Sequence, residues 1–362
     1  MGHRAQLGPA VVVEITDNYQ KETSLTHKQL TPLSPGMKIA AQITPEPSQD
    51  DLDFINQMGV EYVVLWTSGE KASYDYYSSR KQLFESAGLK VYGFGSSSVH
   101  NQDVITLGLP GRDEKIEEYK THLRNLGKAG IPYTTYAHMA NGIWSTEQEF
   151  TRGNAPARAF NLEKANKGWW VGLEYEGSLT HGRKYSEAEI WENFTYFIKQ
   201  VSPVAEEAGV RIGIHPDDPP VYELGGIPRC IFGNFEGYKR ALEIADSPNV
   251  GMCLCVGCWL EGGSQMGKDV FETIRYFGER KKLFKVHFRN VDKPLPYFVE
   301  TFIDDGYMDM YQLLKAMRAV DFDGVLIADH IPTMGSHPRV GTAYTIGYMK
   351  ALVARVNAEA EK

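Results

Sequence analysis

Four short apolar runs in the second half of the chain each end in a residue that can bind a metal. Residues 210–214 lead into His215, and 251–254 into Cys255. Residues 283–286 lead into His287, and 324–328 into Asp329. Two imidazoles, a thiolate and a carboxylate make a donor set of intermediate softness, suited to Mn²⁺, Fe²⁺, Co²⁺ or Zn²⁺ rather than Ca²⁺. Taken singly, each has a plainer reading: a satisfied core histidine, a small buried hydrophobe, a helix cap. What sets them apart is a shared position, the carboxyl end of a strand-like run, repeated at intervals of one strand–helix unit. Cys253 lies two residues before Cys255 and faces the same side, so the ligand is taken to be the one nearer the strand's end. The cluster Cys253, Cys255, Cys258 has no second cysteine cluster to pair with, which counts against a zinc knuckle or an iron–sulfur site.

Other polar residues follow the same strand ends. Asp217 and Asp218 come straight after His215, where they can orient the imidazole or make a turn. Arg289 and Asn290 follow His287, and a guanidinium can hold a substrate carboxylate in bidentate fashion. His330 follows Asp329 and is a candidate acid or base, provided the chain turns there, as Ile331 and Pro332 permit. His337 lies on the loop beyond and is the second candidate. His100 and Arg112, after the third strand, are placed to reach an acidic sugar chain. A solvated loop or an ordinary salt bridge is the plainer reading of each.

Positioning such residues requires parallel strands joined by helices. Apolar runs begin at residues 37, 61, 89 and 131 and continue with the four above, and amphipathic segments separate them. Eight strands alternating with helices predict a single-domain α/β fold, a closed (β/α)₈ TIM barrel over residues 37–362. Residues 1–36 read as an N-terminal extension. Residues 139–183, after the fourth strand, have tryptophans and glycines but no periodicity, and are expected to be an insertion that serves as a lid. No strand is followed by G-x-G-x-x-G, so an open dinucleotide-binding sheet has no support.

Composition excludes several classes of partner. Among 362 residues, 42% are hydrophobic and 23% charged, as in a soluble globular protein, and the net charge of −8 leaves no basic excess for nucleic acid or an anionic membrane. No apolar run approaches a membrane span, and four cysteines are too few for a disulfide scaffold. A cytoplasmic homo-oligomer acting on a small molecule is expected.

The segments IHPDDPP, C-x-C-x-G-C, VHFRNV, DGYMDMYQLLKAM and ADH, with SSSVHNQDVITLG and RAFNLEKA upstream, together resemble the mannonate dehydratase family of xylose-isomerase-like barrels. The resemblance implies dehydration of a sugar acid, D-mannonate to 2-keto-3-deoxy-D-gluconate. It also implies a divalent ion, Mn²⁺ first, on His215, Cys255, His287 and Asp329. The pattern departs after Asp329: members continue Asp-His-Gly and a basic residue, where this chain has His330-Ile331-Pro332. A second reading therefore keeps the metal barrel but makes it an isomerase, an epimerase or an eliminating lyase on a keto-sugar or glycoside. A third makes it a binding or regulatory subunit.

Overall fold

Eight parallel strands arise from the apolar runs: β1 (Lys38–Ile43), β2 (Tyr62–Thr67), β3 (Lys90–Ser96), β4 (Tyr133–Tyr136), β5 (Arg211–Ile214), β6 (Val250–Cys255), β7 (Leu283–Phe288) and β8 (Val325–Ala328). This computed structural model describes residues 33–360, so the expected extension, residues 1–36, lies outside the described residues except for its last four. The sheet order is β3-β2-β1-β8-β7-β6-β5-β4, and every bonded pair is parallel. Pairing of β1 with β8 rolls the sheet up, and β3 and β4 meet side by side at a seam that no ladder bridges among the described residues. Tyr133 fills the barrel beside that seam. A Cβ at Gly93 would stand 2.6 Å from its ring, and one at Gly213 would stand 2.3 Å from its hydroxyl. Both positions therefore need glycine for the ring to fit.

The eight main helices are α1 (Gln49–Gln57), α2 (Tyr74–Ser86), α3 (Arg112–Ala129), α4 (Glu187–Ala208), α5 (Phe235–Ala245), α6 (Val270–Glu279), α7 (Met310–Ala319) and α8 (Pro338–Ala360). Their starts follow capping chemistry. Ser186 and Glu189 form a reciprocal capping box at α4, and Gly209 ends that helix at φ 68°. Helix α8 begins at Pro338, since proline fits the first helical turn. Apolar helix faces and outward strand residues make the main core, and Tyr92, Tyr133, Phe284, Val64 and Val325 plug the barrel's interior near the strands' amino ends. Because alternate strand residues share a face, Cys253 and Lys285 lie above that plug and Cys255 and His287 above them, at the carboxyl-end mouth.

Residues 139–183 fold into short antiparallel pieces. Lys167–Trp170 and Leu173–Glu176 form a hairpin to which Ile143–Trp144 adds a third strand. Ala159–Asn161 pairs with Tyr297–Thr301, a strand in an excursion after β7 that periodicity did not separate from its surroundings. No described helix is long and apolar enough to cross a membrane.

Candidate metal centre

Strand geometry brings the four candidate ligands together. His215 follows β5 directly, Cys255 closes β6, His287 is the penultimate residue of β7, and Asp329 follows β8. His215 Nε2 lies 3.2 Å from His287 Nδ1, which is 3.4 Å from Asp329 Oδ2. The donor atoms of Cys255, His287 and Asp329 all fall within 4.8 Å of one another, as do those of His215, Cys255 and Cys258. His215 donates Nδ1–H to the Pro216 carbonyl at 2.7 Å, which leaves the Nε2 lone pair facing the cluster.

The electrostatics favour positive charge at this point. Burial would raise the Cys255 thiol, but the Cys258 thiol, the Arg289 guanidinium and the two imidazoles hold it well below its ordinary value. Burial likewise opposes ionisation of Asp329, yet His330, His287 and Arg289 hold it well below the usual carboxylate range. His287 moves the other way: burial is outweighed by Cys253 and Asp329, and its pKa rises well above normal. Anionic sulfur and oxygen beside two imidazoles are the environment a borderline divalent ion requires, so the residues present fit one. His287 Nε2 is buried without a hydrogen-bond partner, and of its neighbours Cys253 contributes most to the shift. Cys258 is held by Arg289, whose Nη2 lies 3.5 Å from its sulfur, and it gives its backbone N–H to Cys255 Sγ at 3.5 Å.

Behind the ligands lies a buried ion network. Arg289, expected to grip a substrate carboxylate, is 2% exposed and already committed. Its Nε donates to Asp329 at 3.1 Å, its Nη1 to Glu261 at 2.6 Å and Glu300 at 2.9 Å, and its Nη2 to Asp218 at 3.0 Å. A guanidinium has five N–H groups; carboxylates engage Nε and both terminal nitrogens here, Asp329 among them, and Arg289 is not part of the cavity lining. Arg158, from the insertion, adds bonds to Asp218 at 2.5 Å and Glu300 at 2.8 Å. Glu261, Glu300 and Arg158 escaped the sequence reading because none lies at a strand end. The available signal was a lone charge inside an apolar run: WLEG, YFVETF and APARAF.

A cavity of about 330 Å³ opens onto the cluster, lined by His215, His287, Asp218, Asp329, His330, His100, Gln42, Thr135, Trp66, Met139, Ile143, Trp169, Trp170 and Val171. That volume admits a small polar ligand. His330 reaches it because the chain turns at His330 itself, at φ 44°, instead of continuing the strand. Its Nδ1 lies 2.8 Å from Glu300 Oε1 and its Nε2 3.9 Å from Asp329 Oδ1. Burial disfavours its charged form, but Asp329 and Glu300 raise its pKa to about 9. His100 donates Nδ1–H to the Thr135 carbonyl at 2.8 Å, and burial lowers it to about 3, so the ring is neutral with Nε2 as acceptor.

The remaining candidates lie elsewhere. Arg112 stacks on Tyr196 with its guanidinium carbon 3.8 Å from the ring centroid, on the outer helices. Asn290 is fully buried and ties its own loop, donating to the Met308 carbonyl at 2.8 Å. Asp217 is buried beside Arg229, outside the cavity lining, and burial raises it to about 6 against the pull of that guanidinium. His337 is exposed ahead of α8, where Nδ1 accepts the Arg339 N–H at 3.2 Å. It lines a separate cavity of about 480 Å³ that shares Gln42 and His330 with the first.

Comparison with known proteins adds a second kind of observation. A family model described as D-mannonate dehydratase (UxuA) matches residues 45–169 and 172–361. A mannonate dehydratase of Streptococcus equi subsp. zooepidemicus is 35% identical over 269 residues, spanning 69% of this chain and 72% of the relative. One from Thermotoga maritima is 30% identical over 321 residues, spanning 78% and 87%. The crystal structure of mannonate dehydratase from Streptococcus suis serotype 2 superposes with a TM-score of 0.77 at 28% identity, covering 90% of this chain and 97% of that one. The 3-keto-D-glucoside 4-epimerase of E. coli, at 12% identity and TM-score 0.58 over 87% and 100% of the two chains, shares the fold alone.

Proposed function

This chain belongs to the D-mannonate dehydratase family, and from that premise we propose that it converts D-mannonate to 2-keto-3-deoxy-D-gluconate and water. The observation that carries the reading is the convergence of His215, Cys255, His287 and Asp329 at one point of the barrel mouth, in a chain matched by that family along nearly all its described length. These four residues would hold one divalent ion, Mn²⁺ by preference, with Fe²⁺, Co²⁺ or Zn²⁺ compatible with the same donors. Such an ion supplies Lewis acidity that stabilises the charge gathering on the sugar acid's carboxylate as the C2 proton leaves.

The chain's own residues do the rest. With the Asp329 carboxylate offset by the cation it would hold, the His330 ring would be neutral near pH 7, and it would take the C2 proton at Nε2, since its Nδ1–H is committed to Glu300. The ring, now protonated, can return that proton to the C3 hydroxyl as it leaves as water, and the resulting enol becomes the 2-keto acid. His100 offers Nε2 to a substrate hydroxyl, because its other nitrogen is bound to Thr135. Trp66 and Trp170 both pack against His100, at 4.7 and 4.8 Å between ring centroids, and keep water from that wall. The hairpin of residues 167–176 contributes Trp169, Trp170 and Val171 to the cavity, which supports a role as lid. Four free, buried cysteines suit a reducing compartment, and the cytoplasm is the proposed location.

A panel of hexonates and keto-sugars, offered to protein stripped of metal and reloaded with Mn²⁺, tests the assignment. Release of a 2-keto-3-deoxy acid from D-mannonate is the expected result. Interconversion of substrates without loss of water would replace the reading with an isomerase or epimerase, and inertness with a binding subunit.

A further inference from the structure

Glu300 lies outside the barrel, on the strand Tyr297–Thr301, which the insertion strand Ala159–Asn161 pairs with. It is 2% exposed, and a single oxygen, Oε1, collects three donors: His330 Nδ1 at 2.8 Å, Arg158 Nη1 at 2.8 Å and Arg289 Nη1 at 2.9 Å. Both guanidiniums donate to this buried carboxylate through Oε1, so the oxygen that meets His330 is an acceptor in an ion pair, and a carboxylate can only accept. The proton between the two groups therefore belongs to His330 Nδ1, and the exchangeable position of the ring is Nε2. That nitrogen is turned toward the metal ligands, 3.9 Å from Asp329 Oδ1. The backbone alone does not secure this orientation, since His330 sits at φ 44°, in the left-handed region that non-glycine residues seldom adopt.

We propose that Glu300 is a positioning residue for the dehydration: it locks His330 in the Nδ1–H form, with Nε2 aimed at the substrate. The inference rests on His330 being the acid–base group. Arg158 and Arg289 fix Glu300 in turn, so the insertion and the segment after β7 together aim a ring on the turn that follows β8.

Three variants of the full, Mn²⁺-loaded chain separate the possibilities, with D-mannonate as substrate. Glu300→Asp keeps the charge among the arginines but withdraws the carboxylate from the ring, whereas Glu300→Gln keeps an acceptor in place and loses the charge. Positioning predicts that Glu300→Asp lowers kcat by about 10- to 100-fold while KM and Mn²⁺ affinity stay within about threefold, and that Glu300→Gln retains more turnover than Glu300→Asp. ¹⁵N-labelled histidine in the protein loaded with diamagnetic Zn²⁺, with the His330 signals assigned by their loss in His330→Asn, should show one Nδ1–H tautomer in the wild type and a mixture in Glu300→Asp. Wild-type turnover in His330→Asn would remove the acid–base reading itself. With His330→Asn inactive, the proposal is overturned by a Glu300→Asp variant with wild-type kcat, by Glu300→Gln falling further than Glu300→Asp, or by Mn²⁺ affinity falling in step with kcat. Should Glu300→Asp not fold, the wild-type spectrum still decides, because an Nε2–H tautomer there contradicts the assignment.

Discussion

Cys253 and Cys255 both point into the barrel from β6, yet their neighbours differ. Cys255 shares its surroundings with His215, His287 and Asp329, whereas Cys253 sits one layer down, across from Lys285. Cys255→Ser should weaken Mn²⁺ binding by more than about 100-fold. Cys253→Ser, which alters only what lies behind His287, should cost about tenfold or less. Isothermal titration of the two stripped variants checks this, and equal losses would move the ligand assignment down the strand. That these four side chains converge was legible because a strand's end and its alternating faces are both written in residue order. What packs behind a ligand is not. Arg289 looked free to meet a substrate because its position after His287 shows where it stands, and nothing in that position shows Glu261 and Glu300 arriving from other segments to engage it.

At the scale of elements, the network around Arg289 joins the ends of four consecutive strands. Asp218 follows β5, Glu261 lies in the short helix Val256–Gly262 after β6, Arg289 follows β7, and Asp329 follows β8. Arg289→Met would leave buried carboxylates without their cation, and urea unfolding should show a loss of about 3–5 kcal/mol. Little change in the unfolding midpoint would mean that Arg158 alone neutralises the cluster. The regular elements were largely readable from apolar periodicity, to within a few residues at their ends. The insertion was readable only as an interruption, since strands of two to four residues are too short for a period to register. Its pairing with Tyr297–Thr301, which delivers Glu300, joins segments more than a hundred residues apart, and no local pattern marks it.

Across the whole molecule, stability should depend on keeping several histidines neutral. His122 is buried between Tyr77 and Thr134, with its nitrogens 2.7 and 3.0 Å from their hydroxyls, and burial lowers its pKa to about 3. An unfolded histidine takes up a proton below about pH 6.5. The folded ring does so only near 3, so between these values the unfolded state binds more protons and folding weakens as pH falls. His122→Asn lacks this penalty. Its stability deficit against wild type, measured by urea unfolding, should shrink by about 1 kcal/mol per pH unit between pH 6 and 5. A constant deficit would mean that the folded ring is already charged. The same barrel holds the metal donors at its mouth, and the most direct test of what it does is a titration of stripped wild-type protein with Mn²⁺ in the presence of D-mannonate, reading 2-keto-3-deoxy acid. Turnover should be absent at the start and rise in proportion to added metal until one equivalent per chain is bound. Turnover that is undiminished in the stripped protein, or absent after an equivalent has bound, would contradict the account.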